Sequence, residues 1–162
     1  MVTLRDMTTD DAPALQRIYS GASVRYTTGR ALTLGEAQNK IRAALARAAE
    51  NPRQQWAWGL AVEGELIGQI SLRRRTPGMA TLSYILREDT WGNGYATEAA
   101  KRVVQFAFTT AGLERLEAMH HPSNPASGRV LTKAGFIRTS TVDRHLGNGT
   151  VVPYPVYALQ NT

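Results

Sequence analysis

The sequence predicts a mixed α/β (α+β) fold in which one sheet carries helices on both faces. Apolar residues recur with helical spacing in some stretches and with a period of two in others. The resulting element order is β-α-α-β-β-β-α-β-α-β-β. A Thr33-x-x-Glu36 capping box opens one of the helices. The three-residue link 63–65 joins two apolar runs as a hairpin.

The first strand and the first two helices come before the long central strands. Val2 and Leu4 alternate with polar residues, as in a strand. One of the threonines at 8–9 is expected to cap the first helix, which has Pro13 close to its start. The segment 21–32 is turn-rich and irregular. The second helix runs from the capping box to about residue 50.

Three strands follow and are expected to form a meander. They lie at 56–62, 66–72 and 80–88. A loop containing two glycines then leads into a helix at 98–109, where apolar residues return at helical spacing.

The last elements are shorter. A strand is expected at 113–119, and a short helix runs from Pro125 to Ala134 with Gly135 in the C-cap position. Two strands, 136–146 and 151–159, are joined by a glycine-rich turn and end the chain.

The composition is that of an ordinary soluble globule. The 162 residues are 43% hydrophobic and 20% charged, which suits one domain spanning 1–162 with a substantial core. The absence of cysteine excludes disulfides, a thiolate nucleophile and thiolate-bound zinc. Because the amino terminus lacks an apolar signal core and no run reaches membrane-spanning length, a cytoplasmic protein without membrane contact is expected.

The net charge is +6, and most of the cations are arginines. Such a charge attracts nucleic acid, but it equally attracts a phosphorylated cofactor. The densest run, Arg73-Arg74-Arg75, is interpreted as a solvated strand end that leads into the turn Thr76-Pro77-Gly78. Nucleic-acid binding is not favoured, because no aromatic residues are interleaved with this run.

The glycine loop lies where a strand gives way to a helix. Gly92 and Gly94 carry no side chain and can adopt positive φ, so neighbouring backbone N–H groups can converge on one point. The first amides of the helix add unpaired donors and a partial positive charge. In physical terms the loop is a cradle for a pyrophosphate.

Two further patterns follow the loop at fixed positions in the chain. Asn124 and Ser127 form an Asn-x-x-Ser turn, and Lys133 precedes the Gly135-Phe136 pair. Together with the run from Trp91 to Ala99, these patterns make the chain resemble the GNAT N-acetyltransferases. Within them it is most similar to the branch of ribosomal-protein N-terminal (alanine/serine) acetyltransferases.

The resemblance implies a single GNAT domain built on a central, mostly antiparallel, twisted sheet. It also implies that acetyl-CoA is the co-substrate and that the acetyl group passes to a primary amine by direct attack. The amine would belong to a protein N-terminus or to a small amino compound.

The family also implies roles for the residues that would bind acetyl-CoA. The main chain of Ile85, Leu86 and Arg87 would serve the oxyanion and the pantetheine arm, unless these are plain core residues of a paired strand. Asn124 would bond to the pantetheine arm and also cap the helix that follows it. The residues assigned to the pyrophosphate and its surroundings are Trp91, Gly92, Asn93, Gly94, Tyr95, Ala96 and Thr97. Those assigned to the ribose phosphate, or alternatively to solvent, are Arg129 and Lys133.

The catalytic residues are predicted from the same resemblance. Ser127 is the candidate general acid, because Leu131 stands where many family members have a tyrosine; a first-turn serine can also simply bond to backbone. His120 is the candidate base near neutral pH, although such a histidine more often packs at a strand end. Glu88 and Asp89 are the alternatives for the base. No metal is expected, because the histidines lack partners at ligand spacing.

The sequence leaves the acceptor and some rival functions open. Few acidic residues occur at 20–35, which argues against a polycationic acceptor. A non-catalytic module that binds acetyl-CoA as a sensor is one alternative, and a nucleic-acid-binding protein is another. A homodimer is left open.

Overall fold

The computed structural model describes residues 1–27 and 29–162, and over these the chain forms seven β-strands and four α-helices in the predicted order. The strands are β1 (Thr3–Arg5), β2 (Gln55–Val62), β3 (Glu65–Thr76), β4 (Met79–Leu86), β5 (Arg115–Met119), β6 (Ile137–His145) and β7 (Val151–Gln160). The helices are α1 (Ala12–Ile18), α2 (Leu34–Ala48), α3 (Tyr95–Thr109) and α4 (Pro125–Lys133). Thr28, which falls in the segment predicted to be irregular, lies outside the described residues.

The strands form one sheet in the order β1-β2-β3-β4-β5-β7-β6. Within the described sheet, β4 and β5 run parallel and every other neighbouring pair is antiparallel. The predicted mixed α/β class and the mostly antiparallel sheet are therefore confirmed.

Two hydrophobic cores cover the two faces of the sheet. On one face α3 and α4 pack on the strands, with Val103 and Leu131 fully buried. On the other face α1 and α2 do the same, with Leu15 and Ile41 fully buried. Since alternate residues of a strand point to opposite faces, β4 contributes Leu82 and Leu86 to the first core and Ile85 to the second.

Local sequence signals set several of the element boundaries. The predicted capping box is present at the start of α2, where Glu36 N donates to Thr33 Oγ1 at 3.1 Å and Thr33 N donates to Glu36 Oε1 at 3.0 Å. The tight turn between β2 and β3 has positive φ at Glu63 (52°) and Gly64 (82°), as a two-residue hairpin turn requires. Gly135, at φ 102°, follows the C-cap of α4.

Some boundaries differ from the expectation. The first helix is preceded by a 3₁₀ turn at Thr9–Asp11, so its α-helical part begins only at Ala12. Strand β3 extends to Thr76, which places the three arginines 73–75 inside a strand rather than after one. Of the helices described over 1–27 and 29–162, none combines the length and the apolar character needed to cross a membrane.

Candidate active site

The site begins where β4 and β5 diverge. The two strands pair only from Met79↔Arg115 to Thr81↔Glu117 among the described residues. Beyond that point β4 continues to Leu86 beside β3, and β5 continues to Met119 beside β7. The sheet therefore opens into a cleft between the carboxyl ends of the two strands.

The main chain of Leu86 is directed into this cleft. Arg87 N donates to Ile67 O at 2.7 Å, so the backbone of Arg87, and by alternation that of Ile85, is directed toward β3. The backbone of Leu86 points the opposite way. Its carbonyl accepts hydrogen bonds from Ser23 Oγ at 2.6 Å and Trp91 Nε1 at 3.1 Å, and by the same alternation its N–H is directed away from β3, toward the cleft.

The glycine loop closes the same end of β4. Gly92 and Gly94 both have left-handed backbones, with φ of 82° and 78°, and a Cβ at either would meet open space. A side chain is therefore excluded here by backbone conformation and not by crowding. Among residues 1–27 and 29–162, the amides of residues 92–97 donate to no acceptor. Because α3 starts at Tyr95, its free N–H groups and its positive end face the same space.

The side chains around the loop hold it in place. Asn93 Nδ2 donates to Thr90 O at 3.0 Å, and Trp91, about half exposed at 50%, bonds to Leu86 as described. The guanidinium of Arg87 pairs with Glu65 at 2.7 Å and with Asp89 at 2.6 Å. These contacts hold the loop in one conformation, so the cradle is preformed. The free amides of the loop fit a pyrophosphate group.

Asn124 lies at the N-cap of α4, as predicted, but its side chain makes no capping hydrogen bond in the described structure. The expectation that it caps the helix through its side chain is therefore wrong. The physical reason is that the N–H of Ser127, which a capping side chain would accept, donates to the main-chain oxygen of Asn124 at 3.2 Å instead. The half-buried amide of Asn124 thus keeps its donors and acceptor for a ligand.

Ser127 contacts a residue that the sequence analysis did not single out. Its Oγ lies 2.7 Å from the hydroxyl oxygen of Tyr84. Burial raises the pKa of Tyr84 to about 12, an effect that the hydrogen bond to Ser127 partly offsets. Tyr84 lies two residues before Leu86, so the period of two places its side chain on the same face of β4, and that spacing is the signal that could have identified it.

His120 occupies a different side of α4. It is buried, its Nδ1 lies 2.7 Å from His121 O, and its Nε2 lies 3.4 Å from the hydroxyl of Tyr157. A carbonyl only accepts, so Nδ1 carries the proton and Nε2 keeps its lone pair. A Cβ on Gly128 would come within 2.9 Å of Nε2, so His120 packs against Gly128.

Glu88 and Asp89, the alternative candidates for the base, already accept hydrogen bonds from other residues. Glu88 Oε2 accepts a hydrogen bond from Ala22 N at 2.8 Å and so anchors the 3₁₀ turn Gly21–Val24. The hydrogen bond from Arg87 holds the pKa of Asp89 below its usual range. Both carboxylates therefore accept hydrogen bonds that stabilise the loops around the cleft.

Arg129 and Lys133 are not brought together with Ser127. They are exposed, and they line a cavity of about 750 Å³ between α4 and the β6–β7 pair. At about 100° per residue, Arg129 is roughly 160° around the helix from Ser127. Their predicted contact with the ribose phosphate stays a prediction.

A row of aromatic rings lies beside the end of β5, and we call it the aromatic row of the acceptor side because an acceptor is proposed to bind there. Tyr26 stacks on His121 with ring centroids 4.8 Å apart, and Tyr154 meets His121 edge-on at 5.4 Å. The guanidinium carbon of Arg25 lies 5.9 Å from the Tyr26 ring, and that of Arg144 lies 5.5 Å from the Tyr154 ring. This row joins the segment after α1 to the end of β5 and to the β6–β7 pair.

Comparisons with known proteins agree with this architecture. A protein-family profile described as "Acetyltransferase (GNAT) domain" matches residues 1–137. The uncharacterized N-acetyltransferase YoaA of Bacillus subtilis (strain 168) is 29% identical over 161 residues, covering 96% of this chain and 91% of its own length.

Solved structures share the fold. Mycobacterium smegmatis RimJ in complex with CoA-disulfide superposes with a TM-score of 0.84 at 24% identity, over 98% of this chain and 81% of its own. The microcin C7 self-immunity acetyltransferase MccE in complex with acetyl-CoA and AMP gives 0.87 at 14% identity, over 99% and 92%. The chain therefore belongs to the GNAT acetyltransferase family and is an acetyl-CoA-dependent acyltransferase.

Proposed function

We propose that this protein, acting as one domain over residues 1–162, transfers the acetyl group to a primary amine by direct attack. The observation that carries the proposal is the convergence at one cleft of the free amides 92–97, the Leu86 N–H and the Tyr84–Ser127 hydroxyl pair. These are the groups that binding an anion, stabilising an oxyanion and protonating a leaving group require.

Acetyl-CoA, when bound, supplies an activated acetyl thioester. The amides 92–97 and the positive end of α3 would hold its pyrophosphate, and the Asn124 amide would bond to its pantetheine arm. The Leu86 N–H is directed into the cleft, where it would donate to the oxygen on which negative charge develops, and the bonds from Ser23 and Trp91 to Leu86 O hold this end of β4 in place.

Ser127 Oγ is proposed to give its proton to the leaving sulfur. A serine hydroxyl alone is a much weaker acid than a thiol, which titrates near about 8.5. Tyr84 assists by donating its own proton toward Ser127 Oγ, so that negative charge does not remain on the serine. Because the Tyr84 pKa is about 12, the phenol stays protonated and able to donate throughout the neutral range.

For the proton of the amine, His120 stays the proposed base. Its Nδ1–H is held by a carbonyl, and its Nε2 lies next to the Tyr157 hydroxyl. His120 packs against Gly128. Kinetic measurements on a His120 variant would test the proposed role of His120 as the base.

The acceptor is proposed to be a protein N-terminal amine or a small amino compound. Arg25 and Arg144 flank the aromatic row of the acceptor side, and both are exposed. Two guanidinium groups at this position repel an acceptor that carries several positive charges, which disfavours polyamines.

The proposal is tested by incubating the protein with acetyl-CoA and a panel of amines. The panel contains peptides with free N-termini, small amino compounds and a polyamine. Thiol release is followed with a colorimetric reagent, and the N-acetylated product is identified by mass spectrometry. Amine-dependent thiol release with an acetylated product is expected. Tight acetyl-CoA binding without turnover of any amine would instead support a sensor module.

A further inference from the structure

The three arginines of β3 do not share one environment. Because alternate residues of a strand face opposite sides, Arg74 lies over the Trp56 ring at 5.3 Å, whereas Arg73 and Arg75 face α2. The run lies at the solvated end of β3, as predicted, with Arg73 and Arg75 exposed, but that prediction does not say which face each arginine takes.

Helix α2 leaves a groove above these arginines. Its buried residues, Ala37 and Ile41, lie in its first half, and Leu45 in its second half is 46% exposed. The last turns of the helix therefore stand off the sheet. The groove beneath them has a volume of about 330 Å³, and its polar floor includes Ser71, Thr81 and Ser83.

The groove is strongly cationic. Four cations line it: Lys40, Arg47, Arg73 and Arg75. No Asp or Glu lines it within the part of the chain that the structure describes. Arg47 pairs with Glu50 at 2.9 Å, but the other three cations have no carboxylate within 4.0 Å among the described residues. All four cations are exposed, so solvent screens their mutual repulsion, but their summed potential attracts an anion into the groove.

The floor supplies hydroxyl groups at hydrogen-bonding distance from one another. Ser71 Oγ and Ser83 Oγ lie 3.0 Å apart, and Arg75 Nε donates to Thr81 Oγ1 at 3.1 Å. Guanidinium forks with neighbouring hydroxyls are the donor set that tetrahedral oxyanions use in proteins. A carboxylate has only two oxygens to offer these donors, so a phosphate group matches them better.

We propose that this groove binds a small phosphate-bearing ligand at a site separate from the pyrophosphate cradle. The volume is at the lower end of the range for small-molecule pockets, which limits the ligand to a compact phosphorylated compound. The cradle follows the carboxyl end of β4 at Gly92 and Gly94, whereas Thr81 and Ser83 lie earlier in that strand on the α2 face. The site does not depend on which amine is acetylated.

Inorganic pyrophosphate is the probe, and titration calorimetry is the measurement. Since pyrophosphate would also enter the cradle, the titrations are made in the Gly94→Glu background, where a carboxylate occupies the cradle. In that background we expect saturable binding that weakens about tenfold on Arg73→Gln and similarly on Lys40→Gln.

Arg74→Gln is the matched control, because it removes the same charge from the same strand on the opposite face. Binding within about twofold of the background is expected for it. Circular dichroism and the thermal midpoint confirm that each variant is folded. The proposal is overturned if Gly94→Glu abolishes pyrophosphate binding, or if Arg74→Gln weakens binding as much as Arg73→Gln does.

Discussion

The hydroxyl oxygens of Tyr84 and Ser127 lie 2.7 Å apart and join strand β4 to the first turn of helix α4. This contact spans the cleft at which β4 and β5 separate. It gives the serine a partner that can supply a proton as the serine loses its own, which a serine bonded only to backbone would lack.

Ser127→Ala should lower kcat about 100-fold, because the leaving sulfur loses its proton donor. Tyr84→Phe should lower it about tenfold, with the KM for acetyl-CoA changed by less than about twofold. The double variant should be no slower than Ser127→Ala, since the two hydroxyls act as a unit. Steady-state thiol release measures all three rates. If the two effects multiplied in the double variant, Tyr84 would not be acting through Ser127.

Tyr84 and Tyr19 should titrate well above ordinary tyrosines. Burial raises the pKa of each to about 12, from an ordinary value of 10.0. The folded state therefore holds these protons more tightly than the unfolded state. Their contribution to stability is complete below pH 10 and is lost as the pH rises toward 12.

The measurement is the ultraviolet absorbance of tyrosinate, followed together with the free energy of unfolding as the pH is raised from below the ordinary tyrosine pKa of 10.0 to about 12. Tyr84→Phe should remove one late-titrating phenol and reduce the alkaline loss of stability, and Tyr19→Phe should do the same. Titration of every tyrosine near pH 10 while the protein is still folded would contradict the burial argument.

Asn124→Ala should weaken acetyl-CoA binding and leave the stability of the fold nearly unchanged. Since the Asn124 side chain makes no cap bond, the free energy of unfolding should change by less than about 0.5 kcal/mol. The affinity for acetyl-CoA should fall about tenfold through loss of a buried hydrogen bond to the pantetheine arm.

The matched control for that substitution is Thr33→Ala, which removes a cap that is formed. It should cost about 1 kcal/mol of unfolding free energy and leave acetyl-CoA affinity unchanged. Urea unfolding and calorimetry measure the two quantities. A large loss of stability in Asn124→Ala with unchanged affinity would return Asn124 to a purely structural role.

Ser23→Ala should lower kcat, although Ser23 lies outside the glycine loop. The Ser23 hydroxyl and the Trp91 indole both donate to Leu86 O, so removing either loosens the end of β4, where the neighbouring Leu86 N–H is directed into the cleft. We expect kcat to fall about three- to tenfold, which corresponds to the loss of one hydrogen bond. Ser20→Ala is a suitable control, because that hydroxyl bonds only locally, to Arg17 O. Equal effects of the two substitutions would sink this account of Leu86.

The sequence predicted the element order because each element carries its own local signal. Thr33 and Glu36 indicate the start of α2, and Pro125 indicates the start of α4, whereas α3 begins at Tyr95, earlier than the predicted 98. The position of the glycine loop follows from the same signals. Periodicity cannot predict contacts between distant elements, so the approach of Tyr84 to Ser127 across 43 positions appears only in the fold.

At two places the sequence did not predict the side-chain geometry. The cap at Asn124 was expected from residue preference, but the main-chain oxygen of that residue takes the Ser127 N–H instead. The groove beside Arg73 depends on how far α2 stands off the sheet, which the helix's own sequence does not specify.

Calorimetric titration with acetyl-CoA tests the central claim most directly, using wild type, Gly94→Glu and Gly64→Glu. Gly64 is the matched control, since it has the same left-handed backbone (φ 82°) and open surroundings but lies in the β2–β3 turn. We predict saturable binding in wild type and Gly64→Glu, and at least about 100-fold weaker binding in Gly94→Glu, where a carboxylate faces the free amides. Equal affinity in all three proteins would contradict the cradle at residues 92–97 and the mechanism built on it.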